Sequence, residues 1–448
     1  MRSMGRSARR KAVGVLAGLA VSAGAILSFA SAGAPASAAT TPTVKAYRLS
    51  AGVKLTTIRY PKNPQEVRIL TVLPGAGPRV DIATAGSKFP MWKLTSGMSS
   101  GNTGALAGVN GDFATPTGAP SHMTMIDGEL WTTGAVSGMA FSISDDGQRA
   151  YVGHPIIDMK LTRLNGKRVL KVADWNAGQP HSGQISGYTQ RGGSDYPPPG
   201  STSPTSADPR YCAVRLVPVA GYGYSWSGAL KTAITRRYAV QAQPDPCTKT
   251  PLALGTDPGA IVLAARGKTP GAHSINSLAP GGVVRMWWSF TGWPGVTDVI
   301  GANPTLLDNG VNVAPDYYPG ADNILWYNPR TSVGITKGCS DADLLTACKI
   351  FILTVDGRQS SSGWSKGMKL PALASELRQL GAWNAVNLDG GGSTAMWVKK
   401  KNSAYCQSTP AVGGCLVNRP SASTGERVTI DALTVLGSGD GGTPVGLR

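Results

Sequence analysis

The sequence lacks the short cysteine and histidine spacings that mark zinc sites. It contains no CxxC and no HExxH motif, and its four histidines are scattered along the chain. It also has no run of five or more consecutive basic residues and no signature of a nucleic-acid-binding fold, although 43 Lys and Arg outnumber 25 Asp and Glu. We therefore expect no cofactor and no nucleic-acid partner, and we assign no metal ligand.

Long helical patterns are also few, and no internal repeat is present. With 58 Gly and 32 Pro, the chain is typical of a structure rich in strands and turns. Plausible strands are Val67–Leu73, Ala260–Ala265 and Val283–Phe290. The predicted fold class is α+β, with strand-rich mixed sheets and a few packed helices in a single large domain.

The chain divides into a few predicted regions. Residues 39–66 are expected to form an N-terminal arm or strand, and residues 67–436 the main domain. Within that domain, residues 195–209 are so rich in Pro, Ser and Thr that they predict an exposed loop. Residues 437–448 are expected to be a flexible tail.

The first 38 residues have the organisation of an export signal. Five basic residues precede an apolar stretch, and the small-residue pattern Ala36-Ser37-Ala38 follows it. The pair Arg9-Arg10 leaves both general secretion and twin-arginine export open. Removal of residues 1–38 would lower the formal net charge from +18 to +13, so the mature protein would remain basic. We expect a secreted or wall-associated protein without a stable membrane anchor, suited to anionic polymers.

Six cysteines in an exported chain predict three disulfides, although sequence alone permits fifteen pairings. Cys339 and Cys348 are close in sequence, and so are Cys406 and Cys415. These short separations favour two local bridges, which leaves Cys212 to pair with Cys247.

An aspartate followed at once by three glycines is the most informative motif. Asp389 ends an apolar run and precedes Gly390–Gly392. Glycine leaves backbone N–H groups uncovered, so this turn can form an anion cradle to which Ser393 and Thr394 add hydroxyl donors. An acid beside such a cradle suggests chemistry on a phosphate ester. The alternative is a glycine-rich hairpin with an aspartate in its turn.

A second acid is expected at the same edge of a sheet. Lys349–Val355 has the pattern of a buried strand and ends at Asp356, while Leu370–Leu380 has helical spacing with Gly381 as its stop. A second predicted strand, Ala385–Leu388, ends directly before Asp389. If this unit is a right-handed crossover between parallel strands, both acids emerge at the carboxyl ends of the strands and face one cleft.

Four further motifs complete a pattern: Gly108-Val109-Asn110-Gly111-Asp112-Phe113, Gly301–Leu307, Asn328–Gly334 and Val417–Pro420. Together with the two acidic turns, they resemble the phosphodiester glycosidase domain family. The resemblance runs from about Val67 to Leu436 and is densest from Asn328 onward. Two departures are visible: Asp112 stands where the family commonly has a second small residue, and residues 158–258 do not align clearly.

The resemblance implies hydrolysis at the anomeric carbon of a sugar whose leaving group is a phosphate ester. The residue types fit this chemistry, since Arg330 and Arg358 could neutralise the phosphate through forked donors. Asp389 would activate water or attack the anomeric carbon, with Asp356 as its orienting partner or as the second carboxylate. The separation of the two carboxylates decides whether configuration is retained or inverted.

Several of these residues also have structural interpretations. Asn110 and Asn387 could bind sugar hydroxyls or hold the loop, and Asp112 could add an acid to the site or only cap its turn. Arg330 could form a structural pair with one of the two acids. Ser393 is not expected to be a nucleophile, since no histidine lies in a nucleophile-elbow context.

The sequence thus favours a secreted hydrolase that cleaves a glycosyl-1-phosphodiester bond. It would release a sugar, for example N-acetylglucosamine, from a phosphate-linked glycoconjugate or an anionic wall polymer. One alternative is a non-catalytic wall or glycan binding protein on the same fold. Another is a metal-dependent phosphodiesterase with Asp112, Asp356 and Asp389 as ligands of a hard divalent ion.

Overall fold

The computed structural model describes residues 41–437, apart from 85–90, 100–103, 117, 165–168, 192–210, 228–230, 242–246, 249–251, 253, 258, 317–325, 342–346, 400–401 and 408–412. The signal segment 1–38, the loop 195–209 and the tail beyond residue 437 therefore lie outside the described residues. Strands account for 45% of the structure and helices for 11%. This confirms a strand-rich fold with few helices, while the single large domain stays a prediction.

The strands are short, as expected for a chain with so many turn residues. In chain order they are β1 Thr43–Ser50, β2 Val53–Tyr60, β3 Gln65–Val72, β4 Arg79–Ala83, β5 Ala105–Asn110, β6 Thr124–Ile126, β7 Glu129–Thr132, β8 Met139–Ser144, β9 Ala150–Gly153, β10 Ile157–Arg163, β11 Val169–Val172, β12 Asp174–Trp175, β13 Ser186–Tyr188, β14 Tyr211–Pro218, β15 Ser225–Trp226, β16 Ile234–Val240, β17 Cys247–Thr248, β18 Ile261–Arg266, β19 Val283–Phe290, β20 Val296–Ala302, β21 Thr305–Asp308, β22 Val311–Asn312, β23 Arg330–Ile335, β24 Ile350–Val355, β25 Asn384–Asn387, β26 Met396–Val398, β27 Cys415–Leu416 and β28 Ala432–Leu436. The helices are α1 Leu94–Ser99, α2 Pro270–Asn276 and α3 Leu370–Gln379.

Four sheets result. The first has the order β1-β2-β3-β24-β23-β25-β21-β22, and the second has the path β11-β10-β19-β16-β14-β18-β13-β12, with β15 beside β16 and β17 beside β14. The third has the order β7-β6-β20-β8-β9, and the fourth β27-β26-β5-β28-β4. The first, third and fourth sheets share one apolar core, and the second and third share another.

The first sheet presents the predicted strand, helix, strand unit. Its central strand β23 is antiparallel to both β24 and β25. The strands β24 and β25 therefore run in the same direction, as predicted, but β23 separates them. Their carboxyl ends reach the same edge of the sheet, where β23 begins.

Helix α3 follows its sequence signals closely. Pro371 lies in the first turn, where its missing N–H costs nothing, and Gly381 follows the helix with φ +95°. Leu370, Leu373 and Leu377 are fully buried against the first sheet. This apolar stripe holds the helix against the first sheet, beside β21 and β22.

The predicted disulfide pairing is confirmed. The three bridges join Cys212 to Cys247, Cys339 to Cys348 and Cys406 to Cys415. The first connects β14 to β17 in the second sheet, and the other two brace loops next to the first and fourth sheets.

Candidate active site

A cavity of about 500 Å³ opens where β5, β23, β24 and β25 place their ends close together. Its walls come from widely separated parts of the chain. The lining residues are Phe113, Ala114, Ser121, His122, Val136, Asn303, Pro304, Asn328, Arg330, Arg358, Asn387, Asp389, Gly390 and Gly391. The predicted residues Arg330, Arg358, Asn387 and Asp389 are therefore brought together.

Arg330 is the first residue of β23 and is only 4% exposed. Its Nε donates to the carbonyl of Met368 over 3.0 Å, and an Nη donates to the carbonyl of Trp326 over 2.9 Å. Burial, together with the nearby charge of Arg358, lowers the pKa of Arg330 to about 10. The guanidinium is still charged at neutral pH, and backbone carbonyls fix its orientation at the cavity.

Arg358 approaches the cavity from the end of β24. Its backbone has φ +59°, which is uncommon for a residue with a side chain. Its Nε donates to Asn328 Oδ1 over 3.0 Å. A left-handed backbone of this kind is usually retained where the surrounding structure needs the side chain in a particular place. Here it directs a second positive charge toward Arg330.

Asp389 is partly buried and presents a carboxyl group to the same cavity. Burial, with a smaller contribution from the neighbouring charge of Asp112, raises the pKa of Asp389 to about 6. Hydrogen bonds from Ser393 and from the N–H of Gly390, together with Arg427, act in the opposite direction. A carboxyl group that titrates near pH 6 can both accept and return a proton under physiological conditions.

Several backbone N–H groups of the glycine loop bond within the protein, and the predicted anion cradle stays a prediction. The N–H of Gly390 donates to Asp389 Oδ1, that of Gly391 to the carbonyl of Pro329, and that of Ser393 to the carbonyl of Gly390. These donors are therefore committed within the protein. The loop instead needs glycine for space, because a Cβ on Gly390 would lie 2.9 Å from the carbonyl oxygen of Pro329.

The rest of this loop is buried away from the cavity. A Cβ on Gly392 would lie 2.7 Å from Arg427 Cδ. Thr394 is 1% exposed, and its hydroxyl oxygen has no hydrogen-bond partner within the described ranges. Gly392, Ser393 and Thr394 are not among the residues that line the cavity. Their predicted role in substrate binding stays a prediction.

Asn387 has an unused acceptor at the cavity. Its Nδ2 donates to the carbonyls of Asn303 and Leu388, over 2.9 and 2.7 Å. These two acceptors fix the orientation of the amide, since only an NH2 group can donate twice. The remaining atom, Oδ1, is buried and has no hydrogen-bond partner among the described residues. A buried acceptor of this kind usually finds a donor in water or in a ligand.

Asn110 holds the loop. Its Nδ2 donates to the carbonyl of Asp389 over 2.6 Å, and its Oδ1 accepts from Thr331 Oγ1 and from the N–H of Ala395. Asn110 thereby joins β5 to β23 and to the segment after β25. Of the two interpretations open from the sequence, these contacts favour the structural one.

Asp356 does not line the cavity, although the sequence predicted that both acids would face one cleft. Its oxygens accept from Trp364 Nε1, Asn418 Nδ2 and the N–H of Arg419. Burial raises the pKa of Asp356 to about 6 against the opposing effects of Arg68 and these donors. The strand directions are as predicted, but its side chain joins the loop after β24 to the loop that contains Asn418. Its predicted catalytic role stays a prediction.

Asp112 and His122 form a pair that sequence reasoning missed. His122 Nδ1 lies 2.7 Å from Asp112 Oδ1, and the N–H of His122 donates to Asp112 Oδ2 over 2.8 Å. Asp112 Oδ1 also accepts a hydrogen bond from the N–H of Phe113. The ten-residue separation of Asp112 and His122 matches no known spacing motif, so the only signal was the unusual acid at position 112.

Two other features of the described residues bear on the possible chemistry. Within the described ranges, no group of three or more His, Cys, Asp or Glu side chains is placed to hold a metal ion. The helices in this part of the chain also lack the length and hydrophobicity needed to cross a bilayer.

The cavity combines one carboxyl group of raised pKa with two guanidinium groups, an arrangement that can bind an anionic ester beside a proton acceptor. Residues 244–436 match the family model described as phosphodiester glycosidase. The resemblance inferred from the motifs is confirmed over this part of the chain. The segment that carries Asn110, Asp112 and His122 precedes the match.

Solved structures show the same fold. A hypothetical protein from Synechocystis aligns with a TM-score of 0.58 at 18% identity, over 88% of this chain and 64% of its own. The chain thus spans somewhat less than two thirds of that protein. A protein from Burkholderia pseudomallei, named as exported, aligns with a TM-score of 0.55 at 21% identity, over 88% of this chain and 96% of its own. Both likenesses concern the fold alone.

A more distant structure is the zebrafish N-acetylglucosamine-1-phosphodiester alpha-N-acetylglucosaminidase catalytic domain, auto-inhibited by its pro-peptide. It aligns with a TM-score of 0.38 at 12% identity, over 89% of this chain and 86% of its own. That score is too low to carry an argument. No curated protein matches the chain.

Proposed function

We propose that this protein is a hydrolase that cleaves glycosyl-1-phosphodiester bonds. The proposal depends on one observation: Asp389, Arg330 and Arg358 line the same cavity. The family match over residues 244–436 supports the same reaction class. Neither arginine would be needed at the cavity for cleavage of a neutral glycoside.

The two arginines would bind the phosphate. In this reaction the bond between the anomeric carbon and the phosphate oxygen breaks, and its electron pair leaves with the phosphate ester. A phosphate ester is a stable anion, so its departure needs electrostatic stabilisation more than protonation. Arg330 and Arg358 supply that charge from positions that Met368 and Asn328 fix through hydrogen bonds.

Asp389 would act at the anomeric carbon. Its carboxylate either attacks that carbon directly or takes a proton from the attacking water. Its raised pKa makes it a stronger base than an ordinary aspartate. Cleavage releases a free sugar and a phosphomonoester, and the water supplies one hydroxyl group and one proton.

Asn387 would recognise the sugar. Its buried Oδ1, which the described residues leave without a donor, would accept a hydrogen bond from a sugar hydroxyl. Phe113 and Val136 provide apolar surface at the same cavity. An acceptor beside an apolar wall suits a sugar ring, which presents hydroxyl groups at its edge and C–H groups on its faces.

A basic and aromatic surface next to the cavity favours a polymeric substrate. Lys366 Nζ lies 4.1 Å and Lys369 Nζ 5.5 Å from the ring centroid of Tyr327, and Trp326 is 66% exposed. Asn328, which lines the cavity, pairs with Met368 through its backbone and so joins this surface to the site. Lysines can bind successive phosphates while aromatic rings cover sugar faces.

We therefore propose an anionic glycopolymer of the cell wall, or a fragment of one, as the substrate class. Export to the cell exterior belongs to the same proposal. Three disulfides and the basic composition support it.

The test is hydrolysis of a panel of sugar-1-phosphodiesters in water labelled with oxygen-18. Cleavage between carbon and oxygen places the label in the released sugar, whereas attack at phosphorus places it in the phosphate. We expect labelled sugar and an unlabelled phosphomonoester, with Asp389→Asn as the inactive control. Label in the phosphate would identify a phosphodiesterase instead, and binding without turnover would identify a wall-binding protein.

A further inference from the structure

The Asp112 and His122 pair is a second ionisable group at the cavity, and the proposed reaction leaves it unused. Both residues are buried, with exposures of 2% and 4%, yet His122 is among the residues that line the cavity. A buried histidine with both ring nitrogens bonded inside the protein would be structural. His122 is different, because only its Nδ1 has a partner in the described part of the chain.

The contacts of Asp112 determine which nitrogen of His122 carries the proton. Asp112 Oδ1 accepts the N–H of Phe113, and Oδ2 accepts the N–H of His122. Because both oxygens of Asp112 already accept backbone N–H groups, we assign the 2.7 Å contact between Oδ1 and His122 Nδ1 to an Nδ1–H that donates. In neutral His122 the lone pair is then on Nε2, for which the described part of the chain offers no partner.

Close packing fixes the ring. A Cβ on Gly138 would lie 2.1 Å from His122 Cδ2, and one on Gly301 would lie 2.4 Å from His122 Cβ and 2.6 Å from Asp112 Oδ2. Phe113 contacts the ring edge to face, with centroids 5.9 Å apart. The pair is therefore pre-organised, and its geometry does not depend on the closure of a loop.

Asp389 is close to this pair. The charge of Asp112 contributes to the raised pKa of Asp389, and the buried Asp431 connects to Asp112 by accepting its N–H over 2.7 Å. His122 and Asp389 line one cavity, while the oxygens of Asp356 are occupied elsewhere. The cavity thus contains an imidazole as its second ionisable side chain, whereas the sequence predicted a second carboxylate.

We propose that His122 is a catalytic residue that takes a proton from the water attacking the anomeric carbon, and that Asp112 is its positioning residue. This inference rests on the proposed function. In the step, an O–H bond of water breaks and its proton goes to Nε2, while the water oxygen bonds to the anomeric carbon. Asp389 has first attacked that carbon and displaced the phosphate ester, so the bond from the carbon to Asp389 breaks and its electron pair returns to the carboxylate. His122 then returns the proton to solvent.

Chemical rescue tests the catalytic role. We expect His122→Ala to lower kcat about a hundredfold or more, as is typical for loss of a general base, with little change in KM. Added imidazole should restore part of kcat in proportion to its concentration, because it can occupy the vacated volume. His181→Ala, at an exposed position, is the matched control and should keep wild-type turnover. Near-wild-type kcat in a folded His122→Ala variant, or a loss that imidazole does not restore, would overturn the proposal.

Nitrogen-15 NMR tests the pair without reference to activity. The chain has only four histidines, so the signals of His122 can be assigned by comparison with His122→Gln. At mildly alkaline pH we expect the Nδ1–H tautomer in the wild type. In Asp112→Asn we expect a shift toward Nε2–H, with kcat lowered about tenfold or more, as when an orienting aspartate is lost. An Nε2–H tautomer in the wild type would refute the pair.

The two experiments separate the possible failures. If the wild type cleaves no sugar-1-phosphodiester but shows the Nδ1–H tautomer, the proposed function fails while the arrangement of the pair stands. If it cleaves the substrate and His122→Ala does so equally well, only the inference about His122 fails.

Discussion

The side-chain amide of Asn110 donates to the main-chain carbonyl of Asp389 over 2.6 Å, although the two residues are 279 positions apart. This bond connects β5 in the fourth sheet to the loop that presents the carboxyl group in the first. Such connections form the cavity, so a substitution in either sheet is expected to alter the geometry of the site.

The first prediction concerns the chemistry of Asp389. Asp389→Asn should lower kcat/KM for a sugar-1-phosphodiester about a hundredfold or more, since an amide can neither attack carbon nor accept a proton. Release of reducing sugar measures the effect, and circular dichroism checks the fold. Asp308→Asn, at an exposed position, is the control. Turnover close to that of the wild type would remove Asp389 from the mechanism.

The second prediction concerns the stability of the same variant. Because the pKa of Asp389 is raised to about 6, the folded state binds more protons than the unfolded state between about pH 4 and pH 6. Stability contributed by this group therefore falls as pH rises through that window. Asp389→Asn should melt at a higher temperature than the wild type at pH 8, with no such gain at pH 4. An equal shift at both pH values would mean that ionisation of Asp389 has no cost in the folded state.

The third prediction concerns phosphate binding. Arg330→Lys keeps the charge but loses the forked donors, so kcat/KM should fall more for phosphodiesters than for an activated glycoside with a neutral leaving group. Arg378→Lys, on the exposed side of α3, serves as the matched control. The ratio of the two substrate losses is the measurement. If both substrates lose equally, Arg330 has a structural role.

The fourth prediction concerns the disulfides. Replacing Cys212 and Cys247 with Ala should lower the free energy of unfolding by about 4 kcal/mol, and replacing Cys339 and Cys348 by about 3 kcal/mol, since the longer loop loses more entropy when closed. The first pair lies in the second sheet, which contributes no lining residue to the cavity. Its loss should therefore leave kcat almost unchanged. Denaturant unfolding and steady-state kinetics test both statements, and a large fall in kcat would contradict the second.

The fifth prediction concerns metal dependence. Cleavage that relies on Arg330 and Arg358 for charge neutralisation requires no ion, whereas attack at phosphorus through acidic ligands would require one. Activity should therefore survive prolonged treatment with a strong chelator. Loss of turnover in the folded protein, with recovery on addition of a divalent ion, would reassign the aspartates as ligands.

Much of the first sheet could be predicted from local patterns. The strand Ile350–Val355, the helix Leu370–Gln379 and the strand Asn384–Asn387 follow from apolar runs, from Pro371 in the first turn and from Gly381 after the last. Local signals suffice there because each element buries a face that its own sequence encodes. The disulfide pairing was predictable for a similar reason, since two of the bridges close short loops.

The contents of the cavity depended on contacts between distant segments. The sequence indicated that Asp356 and Asp389 end parallel strands, but not that Trp364, Asn418 and Arg419 would occupy the oxygens of Asp356. Nor could it show that His122 turns its ring toward the site.

Local sequence patterns predicted the strand-rich class and the family resemblance, favoured the three cysteine pairs, and placed Asp356 and Asp389 after strands. Packing between the sheets established which acid faces the cavity, which asparagine holds a loop, and that Asp112 and His122 form a pair. The physical reason is that strand and helix patterns are set by neighbouring residues, whereas a side chain's partners are set by how separate sheets pack together.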